Sequence, residues 1–573
     1  MKAKNLFFGA LACLAFAACS NDDEPVVNNG AQAEYACVTV QFSMPGGSST
    51  RAWNDDADDN TYYKKGDDAE VTVSSARFFF FDASKNKCLE PETPASLGAA
   101  TDGTNLTIDK VHGATIVLED PTVTPAYIAV AINLPAGYAG INPATLDELT
   151  ETLHDVVGTN TKLSGATAGT FVMTNSVFVN GSDVIQATPI EPAQIGRGKT
   201  PEVAATAAIA APVKIAVERV LARVHVEGTS VVGNESVTFS GSATPTKIIP
   251  TIEGWWLDCT NKGSYLVKQL DATYSFNVNT GKTALSEGWW NDLGDSRSYW
   301  ANAITSAGYG HYTYGTANNA DKYCFENTAT STTKLVVAAT LKDELGNPVD
   351  LIQWAAINFN GADAFNQYMA TYYLKDKYLK STDGGTTKAA LTKDDFTFIY
   401  NTDETGESTL NEKDWQTRLG VKDDAATTYY LADGTEKTVA EMNNELKDAV
   451  GIFKFYNEGQ TYYFTEIQHE PVYQETDFAI IRNHYYALNI QSITGLGTPV
   501  PNPEDEPTTD PTDPYFPDPE DPDDGTNPDP GDPDDPEDKP IVPELPENDH
   551  SAIAAQVQIL KYRIVSQNVN LGQ

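Results

Sequence analysis

Apolar and polar residues alternate in short runs along most of this chain. Val38, Val40, Phe42 and Met44 alternate with Cys37, Thr39, Gln41 and Ser43, which predicts a strand with one buried face. Further strand-like runs lie at 71–82, with four phenylalanines at 78–81, and at 106–108, 114–118, 126–134 and 171–179. The run 213–227 alternates again and is expected to close a first domain over 52–232. One helix interrupts it. Thr145 and Glu148 have capping-box spacing, and Leu146, Leu149, Leu153 and Val157 share a face. A second block, 233–497, has strands at 263–268, 334–341, 451–456 and 462–467, with Asn457, Glu458, Gly459 and Gln460 as a hairpin loop between the last two. Residues 363–379, with Phe365, Met369, Tyr372 and Tyr373, and 439–450, with Met442 and Leu446, read as helices. Many short strands between Gly, Asn and Pro turns indicate an all-β chain of two tandem antiparallel β-sandwich domains with a few short helices.

The ends of the chain break this pattern. Residues 498–550 are almost wholly Pro, Asp and Glu, with too little apolar surface to offset chain entropy, and are expected to form no regular structure. Beyond them, 551–573 carries a strand in which Val557, Ile559, Tyr562, Ile564, Val569 and Leu571 supply branched and aromatic content. A hydrophobic strand on a long tether suits one that reaches a partner. At the other end, Lys2 and Lys4 precede an apolar run over 6–18, too short to span a membrane but suited to a signal peptide over 1–18. Small residues lead directly into Cys19, as in a bacterial lipobox whose cysteine is lipidated; an ordinary signal-peptidase site with an incidental cysteine is the alternative. The strand at 38–44 stops at a Pro-Gly-Gly-Ser-Ser-Thr loop ending in Arg51 and Ala52. An isolated basic residue in such a loop is what a trypsin-like, Arg-specific protease requires, making 19–51 a propeptide. In the uncut chain 37–44 is expected to pair inside the first sandwich, with no other partner available in the monomer.

The net charge of -42 excludes a nucleic-acid partner, whose phosphates demand a basic surface. Outside the signal and propeptide, Cys88, Cys259 and Cys324 remain, an odd set without CxxC spacing, and read as small buried hydrophobes rather than as a disulfide scaffold or zinc site. The seven histidines are scattered, and no P-loop, G-x-S-x-G or H-E-x-x-H is present, so neither catalytic residues nor a cofactor is expected. Arg482, Asn483 and His484 are better explained by strand-edge packing than by catalysis. The Asp-rich runs at 55–60 and 518–538 lack EF-hand spacing and read as solvated spacers, so no metal site is assigned.

Several stretches together resemble the Bacteroidales fimbrillins, or type V pilins. Residues 256–266 (WLDCTNKGSYL) are similar to the start of their second domain. Tyr456-Asn457-Glu458-Gly459, Ile467-Gln468-His469 and Ile481-Arg482-Asn483-His484-Tyr485-Tyr486 are similar to their C-terminal signature. The ending Ser566-Gln567-Asn568-Val569-Asn570-Leu571 is most like the stalk subunit of short, Mfa-type fimbriae, and Ser20-Asn21-Asp22-Asp23-Glu24 looks like a Bacteroidetes surface-export tag. The resemblance implies two transthyretin-like sandwiches, exported as a lipoprotein held in the outer membrane until an Arg-specific protease removes the first strand. It further implies that a neighbouring subunit's C-terminal strand then fills the vacated groove, in a surface fimbria built with other copies and with accessory or anchor subunits. Such fimbriae adhere to host or bacterial surface ligands and support biofilms. The physics agrees: emptying the seats of Val38, Val40, Phe42 and Met44 leaves roughly 6–12 kcal/mol of burial unsatisfied, which strand addition restores. The competing expectation is a surface glycan-binding lipoprotein of a nutrient-uptake system, stacking sugars on Trp255-Trp256 and Trp289-Trp290.

Arg51 is the only Lys or Arg between Cys19 and Tyr62. Mature polymer is therefore expected to begin at Ala52, as read by mass spectrometry of surface-sheared material. A mature terminus at Cys19 would contradict this.

Overall fold

Four consecutive phenylalanines at 78–81 set the first core. The computed structural model describes residues 38–41 and, with short gaps, 63–151, 171–269, 296–297, 309–310, 317–400, 417–500 and 550–571. In it the strand Ala76–Phe81 lies between Lys87–Glu92 and Tyr127–Ile132, and all four rings are buried. Successive strand side chains point to opposite faces, so this strand is covered on both. A ten-stranded sheet runs on through Met173–Asn175, Val213–Arg219, His550–Leu560 and Ile108–Leu118 to Thr101–Asp102. The short helix Leu146–Glu151 adds Leu146 and Leu149 to the same core.

A second sandwich follows. One layer has the order Val38–Gln41, Tyr562–Leu571, His484–Ile493, Leu221–Glu227, Lys322–Phe325. The facing layer has Glu235–Val237, Thr246–Asp258, Lys334–Lys342, Gln460–Glu466 and Thr498–Pro499. Val224, Leu488, Ile490, Val569 and Leu571 from the first layer meet Trp255, Leu257, Leu335, Val337 and Tyr463 from the second.

Between Lys334–Lys342 and Gln460–Glu466, which pair with each other, the chain leaves to build a module with its own core. Leu351–Trp354, Ile452–Tyr456 and Thr417–Val421 form the middle of its five-stranded sheet, and Tyr378–Ser381 and Thr428–Leu431 the middle of a smaller one. Phe365, Met442 and Leu446 from its two helices, Gly361–Tyr368 and Val439–Val450, are fully buried there. The expected single block 233–497 thus contains a module whose core is separate from that of the second sandwich.

Other expectations shift with it. The run 213–227 does alternate, but it divides at Val220 into strands of two different sheets, so it links the sandwiches instead of closing the first. Asn457–Gly459 is not a hairpin loop: the strands either side of it belong to different sheets. It is a corner, with Glu458 at φ 51° and Gly459 at φ 71°, where a Cβ would come within 2.4 Å of the Leu341 carbonyl oxygen. Residues 363–379 are helical only as far as Tyr373, and Tyr378–Ser381 is a strand. Val439–Val450 is a helix as expected, capped by Thr438, whose hydroxyl accepts from the Glu441 amide at 3.2 Å. The expectation of no regular structure over 498–550 fails at both ends, since Thr498–Pro499 pairs with Thr461 and Tyr462, and His550 opens a strand; 501–549 lies outside the described residues.

Phe365→Ala would empty a seat lined by Trp354, Phe359, Phe398 and Phe453, at a cost of about 3–5 kcal/mol. Because that core is separate, hydrogen-exchange protection should fall within 351–456 and persist in Lys334–Lys342.

Candidate functional site: the seat of the terminal strands

The last described segment is two strands, not one, and each is interior to a different sheet. His550–Leu560 runs parallel to Val213–Arg219, with Val557 opposite Ile215 and Ile559 opposite Val217. Its other edge is antiparallel to nearly all of Ile108–Leu118, from Ser551 against Leu118 to Leu560 against Ile108. Tyr562–Leu571 runs parallel to His484–Ile493, with Ile564 opposite Tyr485 and Val569 opposite Ile490. The two strands therefore cross between sandwiches in the same sense as 213–227.

The outer edge of Tyr562–Leu571 is covered twice. Val38–Gln41 pairs with it antiparallel, Val38 opposite Leu571 and Val40 opposite Val569. Further along, Tyr63 lies opposite Arg563 and Lys64 opposite Tyr562. The expectation that 37–44 pairs inside the first sandwich is corrected: its partner is the chain's own terminal strand, in the second. Alternation specifies that one face is buried, not which sheet supplies the neighbour. The terminal strand, read as one that reaches a partner, is seated in cis in this chain along both its halves. Phe42, Met44, Cys19, Arg51 and Ala52 lie outside the described residues.

Buried charges fix the junction. Arg219, fully buried, donates from Nε to the Glu70 carbonyl at 3.0 Å, from Nη1 to Asn483 Oδ1 at 3.1 Å and from Nη2 to Asp109 Oδ2 at 3.2 Å. Asp109 also accepts from the Gly66 amide at 2.6 Å, and a Cβ at Gly66 would come within 2.3 Å of Arg219 Nη2. Arg223 donates to Asp67 at 2.8 Å, to Glu70 at 3.0 Å and to Asp321 at 2.6 Å. Burial, then the Glu70 charge, raises the Tyr323 phenol well above its ordinary range, so it stays protonated and donates to Glu70 Oε1 at 2.7 Å. Residues 63–71, just beyond the expected cleavage point, are thereby anchored to the body.

Arg482, Asn483 and His484 hold structure together. The Arg482 guanidinium pairs with the buried Glu326 carboxylate and donates to Ser264 Oγ at 2.9 Å, to the Tyr265 carbonyl at 2.7 Å and to the Leu266 carbonyl at 3.0 Å. Asn483, at φ 56°, donates its amide to the Leu221 carbonyl at 3.1 Å, and His484 Nδ1 sits 2.8 Å from the Arg482 carbonyl oxygen. Cys88, Cys259 and Cys324 are thiols outside any described disulfide; burial, aided by Asp82 at Cys88 and Asp258 at Cys259, pushes them up to about 11, 12 and 12. Trp255 lies in the core at 0% exposure, closed to a sugar, and Trp289-Trp290 falls outside the described residues. Among the described residues no cluster of three or more His, Cys, Asp or Glu is placed to hold a metal. Sequence reasoning did not single out Glu70, Asp109, Arg219, Glu326 or Gln567, because nothing local marks a buried polar residue whose partner lies far along the chain.

Residues 454–568 match the family described as major fimbrial subunit protein type IV, fimbrillin, C-terminal. That span contains all of His484–Ile493 and most of the terminal strand paired with it. Solved structures with some likeness include a candidate cell adhesion protein from Parabacteroides distasonis (14% identity, 55% of this chain and 77% of that chain, TM-score 0.25). A second is from Bacteroides eggerthii (15%, 50% and 75%, TM-score 0.24). A third is the tip fimbrial protein Mfa3 from Porphyromonas gingivalis with C-terminal truncation (13%, 50% and 80%, TM-score 0.23). No curated protein matches the sequence.

Arg482→Met would leave the Glu326 carboxylate buried and unpaired, at a cost of about 3–5 kcal/mol. The urea midpoint should fall accordingly, and Arg482→Met combined with Glu326→Leu should recover much of the loss.

Proposed function

We propose that this chain, a fimbrillin-family protein and not an enzyme, is a structural subunit of a cell-surface fimbria that serves adhesion and polymerises by exchanging its terminal strands. The observation that carries the reading is the position of those strands. Each is interior to its sheet, with neighbours on both edges, while the covalent link to the body runs through residues 501–549. A tether of that length spans up to ~150 Å when extended and Pro-rich, at ~3.1 Å per residue. The same strands can then enter the identical seat of a second copy, as in domain swapping, with every contact conserved.

Export as a lipoprotein through Cys19 and cleavage between Arg51 and Ala52 complete the reading. In the uncut chain Val38–Gln41 caps residues 568–571 of the terminal strand. Cleavage detaches that cap, while Tyr63–Lys64 stays held by the ionic cluster around Arg219 and Arg223. The mature strand then leaves its own seat more readily, and the released edge of the sheet accepts a neighbour. Exchange in trans wins over cis where the local subunit concentration exceeds the tether's effective concentration, on the order of millimolar. The partners are other copies and accessory or anchor subunits, with the outer membrane engaged through the lipid before processing.

Comparing unboiled with boiled samples on denaturing gels tests this. Wild type should give a ladder that boiling collapses. Val569→Asp with Leu571→Asp, which places carboxylates in an apolar seat at several kcal/mol each, should abolish it, and so should the uncleaved Arg51→Ala. A normal ladder from either variant would end the strand-exchange reading.

A further inference from the structure

We propose that Gln567 sets the register of the second terminal strand. On the exchange reading above, it also decides which strand a neighbour's seat accepts. Gln567 is 2% exposed and shares its face with Val569 and Leu571, both at 0%. Leu488 lies directly opposite it, and Val569 and Leu571 on the same strand belong to the apolar core of the second sandwich. In that setting its amide makes one directed contact. Nε2 donates at 3.3 Å to the carbonyl of Glu466, the last residue of Gln460–Glu466, while Oε1 has no partner among the described residues.

An amide half satisfied in an apolar seat weakens packing relative to a leucine of similar size. What it supplies is discrimination. Sliding a strand by one residue turns its apolar face to solvent, so the competing state is a slide by two. The sequence places Val565, Gln567, Val569 and Leu571 at alternate positions. Three of these are interchangeable apolar residues, and a two-residue slide among them alone would cost little. Gln567 breaks the equivalence: in either direction the slide removes its amide from the Glu466 carbonyl and puts an apolar side chain there. Single buried polar residues fix register in this way elsewhere.

Cysteine trapping in the uncut monomer reads the register directly. Asn489→Cys with Asn568→Cys reports the observed pairing, and Asn489→Cys with Ser566→Cys or Asn570→Cys reports the two slides. With Gln567 present the first pair should dominate. In Gln567→Leu the slid pairs should rise by about tenfold, the upper end of what one hydrogen bond contributes, and the Tm should hold or increase. Unchanged trapping in Gln567→Leu would overturn the proposal, as would a lower Tm or loss of folding. Because monomers are measured, a failure of exchange between copies shows only in the gel ladder and leaves this result intact.

Discussion

A strand in the middle of a sheet needs a neighbour on each edge, and in this protein the neighbours come from opposite ends of the chain. Val213–Arg219 and Ile108–Leu118 make no ladder with each other; His550–Leu560 bridges them. In the second sandwich Tyr562–Leu571 stands between His484–Ile493 and two short N-terminal segments. Without the terminal pair, one sheet has a gap at its centre and the other loses Val569 and Leu571 from its core. Unpaired edges and empty apolar seats are costly, so this one segment is the component on which both sandwiches depend.

The buried ions bind together the strands that shape the seat the terminal strands fill. Arg219, Arg223 and Arg482 sit where strands pass from one sandwich to the next, and their carboxylate partners come from distant stretches: Glu70, Asp109, Asp321 and Glu326. Such pairs are expensive to desolvate and add little net stability, but removing one partner is severe. Their geometry therefore fixes the angle at which the sandwiches are joined, and with it the line along which a terminal strand must cross.

Local features were readable from sequence, and non-local ones were not. Helix Val439–Val450 was legible because its buried stripe, Met442 and Leu446, lies one turn apart. The strand carrying the buried Val569 and Leu571 was legible from its branched and aromatic content. The corner at Asn457–Gly459 was not, since Asn and Gly suit a hairpin and a sheet-to-sheet crossing equally. The partner of 38–41 lies more than 500 residues away, and period two carries no information about it. Gln567 escaped notice because Ser566 and Asn568 flank it, so a buried amide reads as part of a polar run. Arg482 was expected to pack at a strand edge; it lies buried in the turn before His484–Ile493, and its partner Glu326, 156 residues distant, had no local signal.

Residues 550–571 complete both sandwiches in cis, and the proposed exchange requires that they can also do so from outside the chain. Deleting 550–573 and then adding the same segment back as a synthetic peptide tests it most directly, with near-UV circular dichroism and thermal melting as readouts. The account predicts that the truncated chain loses cooperative melting of both sandwiches, while the module around Phe365 and Leu446 keeps its own transition. It also predicts that the peptide restores the lost transition in proportion to its concentration. A truncated chain that melts like the full one, or one the peptide cannot rescue at saturating concentration, would contradict it.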